Sequence, residues 1–338
     1  MRRRFLVLLL AGFLVVVGVF WYSGPEAVVR DVLRFDVRFL LVLFFFQVLI
    51  MVLWAVKWRV VLRHSDVSFW NVLLVSFAGY FVNNLTQVNM AGGEPVMAYL
   101  LPKVDEGVNT ERSAASVIVN TFLTVFPVFG FILLAVFLAL SYDLPWVFSL
   151  VLLAGGFVVA LVFCILVLLF VREDYSRRLV LFSIRVLRRS PVGFMREHAL
   201  DAEHRIDSII ANFNDAVRKT TADRSILLAG VFISTVIWCI YIFQTYVIFN
   251  AIGFTVPLHA VVVVKVVTVV AGFLSITPGA VGFFEGVSAW LFSLYGIPLP
   301  TATAAVFIER FFTYWVGNLI GFLSLAYLGA SYLLDRVT

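Results

Sequence analysis

Charge is scarce in this 338-residue sequence. Only 13% of residues are Asp, Glu, Lys or Arg, against 62% hydrophobic, and the mean hydropathy is +1.04. A soluble domain of this size needs far more polar surface, so the class is an all-α polytopic membrane protein. Cysteine is nearly absent. Cys164 and Cys239 each lie within an apolar run and read as small buried hydrophobes, which leaves no disulfide framework and no thiolate metal site. Four histidines (His64, His198, His204, His259) are scattered in loops, and only the weak His198/His204 pair has any metal-like spacing. Nucleophile elbow, P-loop and HExxH are all missing. The expectation is therefore a non-enzyme without a cofactor, whose uphill work, if any, draws on an ion gradient or a chemical sink.

What the sequence does contain is long apolar runs. Six are long enough to span a bilayer: about 5–22, 39–56, 113–140, 146–172, 225–252 and 303–333. The first has a basic head, Arg2-Arg3-Arg4, but ends in Trp21-Tyr22 with no small-x-small site, so it reads as a transmembrane helix and not as a cleaved leader. Two more regions are broken. Hairpin 69–101 is interrupted by "NNLTQVNMAGGEP", and hairpin 258–296 by "SITPGAVGFFEG".

Lysine and arginine near the helix ends set the orientation. Both termini, Lys57, Arg59 and Arg63, Lys103, Arg112 and segment 172–224 fall in the cytoplasm of a plasma-membrane protein, and "SYDLP" (141–145) falls outside. Loop 23–38 is the exception, with Arg30, Arg34 and Arg38 outside beside Glu26, Asp31 and Asp36. One hairpin then enters from the cytoplasm and the other from outside. The chain divides into two repeats of opposite topology, 1–140 and 146–333, an arrangement common in alternating-access transporters. Internal similarity supports the division. Thr86 precedes Glu94 as Thr277 precedes Glu285, and "AASVIVNTFLT" (114–124) matches "TAAVFIERFFT" (303–313) in character.

Prolines and glycines at membrane depth free backbone groups that hydrocarbon cannot satisfy, so such turns belong in protein or against a wet cavity. Intramembrane charges are costly and usually functional. Glu94, Glu285, Glu309, Arg310 and Lys265 are the candidates, with bridging between helices as their plainer role. Tyr80, Tyr241 and Tyr314 read as packing aromatics, and Trp21, Trp58, Trp70 and Trp146 as interface anchors. Segment 172–224 reads equally as a pair of amphipathic helices on anionic lipid headgroups or as a solvated helical loop. Its acidic residues nearly match its basic ones, so nucleic acid is not an expected partner.

"NNLTQVNMAGGEPVMAYLL", "TPGAVGFFEG" and "FIERFFTYW", in that order, resemble the flippase-like membrane family related to the transmembrane region of lysylphosphatidylglycerol synthases, the UPF0104 group. The resemblance covers nearly the whole chain and implies movement of polar-headgroup lipids between leaflets. It implies a substrate site built from Asn84, Gly92, Gly93 and Glu94, from Pro278, Gly279, Gly282 and Glu285, and from Glu309 and Arg310, to which Lys265 is added as a charge at depth. The chain departs from the family pattern at Gln87-Val88 (usually Pro-Gly), at Met97 (usually Arg) and at Asn120-Thr121 opposite Glu309-Arg310. It ends at Thr338, so the soluble aminoacyl-transferase domain is not expected, and neither is synthesis of that lipid. The expected substrate is a phospholipid or a polyprenyl-phosphate-linked sugar. A small anionic solute is the rival substrate. A scaffold for a partner lipid or glycan synthase is the rival role, and a homo-oligomer is a further partner class.

Single cysteines at Asp143 and Arg188, in a chain whose Cys164 and Cys239 are replaced by alanine, are expected to label from opposite membrane faces. Labelling from one face would overturn the opposed-repeat topology.

Overall fold

The computed structural model describes residues 2–86, 92–142, 146–171, 211, 215, 217–272, 275 and 277–334. Among these the chain is helical throughout, with no strand. The elements are α1 (Arg2–Tyr22), α2 (Pro25–Leu33), α3 (Phe39–Val61), α4 (Phe69–Leu85), α5 (Glu94–Val104), α6 (Thr110–Ser141) and α7 (Trp146–Val171). After them come α8 (Arg224–Ile252), α9 (Leu258–Gly272), a 3₁₀ turn (Pro278–Ala280), α10 (Phe283–Leu294), α11 (Leu299–Arg310), a π-helical turn (Phe311–Val316) and α12 (Gly317–Leu334).

Among the described residues, four helices are long and apolar enough to cross a membrane: Phe39–Val61, Thr110–Ser141, Arg224–Ile252 and the continuous Leu299–Ala330. A fifth is added if α1 and α2, bent by 89° at their junction, count as one span. The sequence reading counts six. Part of the difference is this bend. Gly24 takes φ +83° and Pro25 opens α2, so loop 23–38 is largely a helix turned across the bundle. It is pinned there by Thr301, which donates to Asp31 at 2.6 Å, and by Ser23 hydrogen-bonded to Thr303 at 2.8 Å. α7 is an apolar helix of 26 residues at the position of the expected fourth span. Segment 172–224 lies outside the described residues apart from 211, 215 and 217–224.

Both interrupted regions are helix–break–helix hairpins. The first is α4 and α5, whose connection at 87–91 lies outside the described residues. At its tip the Asn83 side chain accepts from the Gly93 N–H at 2.7 Å, while Gly93 sits so close to Gly79 that an added Cβ would run into the Gly79 carbonyl. The second is α9, the 3₁₀ turn and α10. α1 packs on its outer side, where Gly12 lets the Val281 carbonyl approach within 2.7 Å of the point a Cβ would occupy.

Two readings of individual residues are corrected. Trp58 is fully buried and donates to Ser116 Oγ at 2.9 Å, so it is a core residue and not an interface anchor. Cys164 and Cys239 are exposed, on the same kind of outward apolar surface as Phe157 and Phe232. A lipid-facing residue is as apolar as a core residue, so hydropathy does not separate the two.

Gly93→Ala is expected to destabilise the fold by about 1–3 kcal/mol through overpacking at the tip. Gly130→Ala, with open space around it, should not. Thermal unfolding in detergent checks both, and equal midpoints would count against tight tip packing.

Candidate functional site

The two hairpin tips meet. An added Cβ at Gly279 would lie 2.8 Å from the Asn84 carbonyl and would strike the Tyr314 ring. Only glycine fits there, and Gly279 also takes φ +60°, next to Ala280 at φ +53°, a conformation that costs a non-glycine residue strain. Asn84 itself is committed to the last span, its amide donating to Asn318 at 2.9 Å, and Tyr80 donates to the Thr313 carbonyl.

Arg310 satisfies the turn. Its Nη2 donates to the Gly279 carbonyl at 2.8 Å and its Nε to Glu285 Oε1 at 2.8 Å. Glu285 Oε2 accepts the Gly282 N–H at 2.7 Å, capping α10. The guanidinium lies against the rings of Phe284 and Tyr314, at 4.9 Å and 4.6 Å from their centroids. One residue earlier, buried Glu309 pairs with buried Lys265 and accepts from Thr245 Oγ1 at 3.0 Å. Directly after Arg310 the helix widens into the π turn, a distortion frequent at functional sites. Five expected site residues, Lys265, Gly279, Glu285, Glu309 and Arg310, are thereby brought together, with Pro278 buried in the same turn.

Beside them lies a cavity of roughly 190 Å³. Asn84, Lys265, Gly279, Glu309 and Arg310 line it, together with Trp54, Tyr80, Trp238, Tyr241 and Phe284. Gly92, Gly93 and Glu94 do not. They shape the first tip, where Glu94 opens α5 with Oε2 buried and unpartnered. Met97 is packed in the core against Gly79. Thr124 and Thr313, equivalent in the internal match, both line the cavity.

The residue the sequence reading misplaced is Lys57. Counted there as a cytoplasmic end-of-helix charge, it is 1% exposed and lines the cavity. It donates to Thr124 Oγ1 at 2.5 Å and sits 5.2 Å from the Trp54 ring centroid. The signal was present: Leu43, Ile50 and Lys57, seven residues apart, share one buried face of α3, whereas Arg63 is exposed. Tyr80 and Tyr241, read as packing aromatics, also belong to the cavity wall. Among the described residues no cluster of three or more His, Cys, Asp or Glu could hold a metal.

A helical multi-pass bundle with a charged cavity where two interrupted hairpins meet defines a class of membrane protein. Within that class, the family model for the lysylphosphatidylglycerol synthase transmembrane region matches residues 9–321, and the chain belongs to this family. It is similar to a UPF0104 membrane protein of Methanothermobacter thermautotrophicus, 25% identical over 98% of this chain and 97% of the relative. It is also similar to UPF0104 membrane protein PH1989 of Pyrococcus horikoshii, 26% identical over 93% and 94% of the two chains. A second Methanothermobacter thermautotrophicus UPF0104 protein is 28% identical over 97% and 94%.

Arg310→Ala is expected to destabilise the protein by about 3–5 kcal/mol, because it leaves Glu285 buried and unpaired. Arg310→Met combined with Glu285→Gln should lose much less. Denaturant titrations in micelles would measure both, and equal losses would show that the ion pair does not hold the turn.

Proposed function

We propose that this protein moves lipids with phosphate-bearing polar headgroups between membrane leaflets, without covalent chemistry, by passing the headgroup through the central cavity. The observation that carries this reading is a charged cavity walled by aromatics at the meeting point of two hairpin tips inside an apolar bundle. Buried charge of this kind is retained where something polar must pass or bind. The family's name links it to enzymes of an aminoacylated phospholipid, which favours lipid over other cargo.

In this reading the two halves, 1–140 and 146–333, are inverted repeats that rock about the cavity, with hairpin 69–101 entering from the cytoplasm and hairpin 258–296 from outside. Thr124 and Thr313, which correspond in the internal sequence match and both line the cavity, support that symmetry. The termini and segment 172–224 would lie on the cytoplasmic side of the plasma membrane, the segment against anionic headgroups. Asn84, Lys265, Gly279, Glu309 and Arg310 would form the headgroup site, with Gly92, Gly93, Glu94, Pro278 and Glu285 shaping the tips that move.

In proteoliposomes carrying headgroup-labelled phospholipid, the wild type should exchange lipid between leaflets faster than empty vesicles. Glu94→Gln and Glu285→Gln should each slow exchange by about tenfold, a barrier change of about 1.4 kcal/mol, with unaltered elution on size exclusion. A wild type no faster than empty vesicles would end the proposal. Full activity in both variants would confine the two carboxylates to structure.

A further inference from the structure

Three cations line the cavity, and two of them are already matched. Lys265 pairs with Glu309, and Arg310 is held by Glu285 and the Gly279 carbonyl. Lys57 has no carboxylate within ion-pair distance among the described residues. Among the described residues its ammonium is held by the Thr124 hydroxyl and the Trp54 ring. Glu94 acts on it only from beyond ion-pair range, unlike Glu285 on Arg310. A buried ammonium with a hydroxyl as its hydrogen-bond partner is poorly compensated, and an anion arriving in the cavity would supply what it lacks.

Building on the lipid-transport reading, we propose that Lys57 binds the negative charge of the cargo, and that the cavity takes a headgroup with one net negative charge, a phosphodiester. With Lys265 paired to Glu309, and Arg310 to Glu285, which does not itself line the cavity, Lys57 is left as the lining cation without a carboxylate at ion-pair distance among the described residues, and a monoanion balances it. A phosphomonoester dianion would require Lys265 or Arg310 to abandon its glutamate. A zwitterionic headgroup would bring an ammonium into a cavity already holding three cations. Trp54, Trp238 and Phe284 give the cavity an apolar wall, which suits a headgroup still attached to its chains better than a fully hydrated free ion.

The test uses the full chain in phosphatidylcholine nanodiscs containing equal small amounts of phosphatidylglycerol (a monoanionic phosphodiester), phosphatidic acid (a phosphomonoester) and phosphatidylethanolamine (a zwitterion), with the protein-bound lipid extracted and quantified. The wild type should enrich phosphatidylglycerol about tenfold over phosphatidylethanolamine and clearly over phosphatidic acid. Lys57→Met should abolish that enrichment and Lys57→Arg should keep most of it. Binding of anionic lipid at the protein surface would survive Lys57→Met, so the difference between the two chains isolates the cavity. The proposal is overturned if Lys57→Met enriches phosphatidylglycerol as the wild type does, or if the wild type prefers either of the other two lipids. The second outcome needs no variant and so does not depend on the variant folding. Glycerophosphoglycerol, the same phosphodiester without acyl chains, is added as competitor. Displacement of the lipid at micromolar concentration would reassign the site to a soluble anion. The vesicle exchange assay separates this proposal from the one it rests on. Selective, Lys57-dependent binding without exchange would retain the site and remove the flippase reading. Exchange that is indifferent to Lys57 and to headgroup charge would do the reverse.

Discussion

The bundle depends on how one irregular turn keeps its backbone satisfied away from water. Unpaired amide groups in hydrocarbon cost several kcal/mol each, and the Thr277–Gly282 turn interrupts its helices within the bundle. Arg310 resolves this with two directed bonds, one to the Gly279 carbonyl and one to Glu285, while Glu285 turns its other oxygen to the Gly282 N–H. The turn, the start of α10 and the last span thus become one unit. The π turn follows directly after the residue that does this. Asn84 and Tyr80 then tie the opposite tip to the same span, so both tips are referred to one helix.

That arrangement explains why buried charges are tolerated here. Lys265 with Glu309 and Arg310 with Glu285 are close, nearly water-free pairs. Buried pairs contribute little net stability relative to apolar packing, yet removing one member is expensive. Such pairs act as fixed struts whose charge is already spent. The cavity beside them carries a few charged and polar groups because the turn has to be satisfied, and the rest of its wall is aromatic and aliphatic because the rest of the bundle is apolar.

Much of this was legible in the sequence, for identifiable reasons. The interruptions at 86–94 and 277–285 are visible because proline, glycine and glutamate stand out against an apolar background, and the structure breaks its helices there. The carboxylates and cations of the second tip were found the same way. Lys57 was not, because a positive charge near a helix end is ordinarily a topology signal, and that rule counts charges without asking which face they occupy. Heptad register with Leu43 and Ile50 carried the missing information. Trp58 was misread through the same end-of-helix logic. The 89° bend between α1 and α2 left only Gly24-Pro25 as its trace, too short a signal to change a span count. The outward placement of Cys164 and Cys239 left no trace, because lipid and core select the same residues.

The division between arginine and lysine follows from their chemistry. A guanidinium offers planar, directed donors suited to fixing a carbonyl and a carboxylate at once. Arg310 uses it so, clamped between Phe284 and Tyr314. An ammonium on four methylenes is a point charge with rotatable donors. Among the described residues Lys57 donates to one hydroxyl, on a threonine that already donates to its own helix at the Asn120 carbonyl. Letting go of Thr124 breaks no ion pair and frees no backbone group, whereas letting go at Arg310 would undo the turn. Of the cavity's cations, the lysine on α3 is therefore the one whose partner can change while the tips keep their shape.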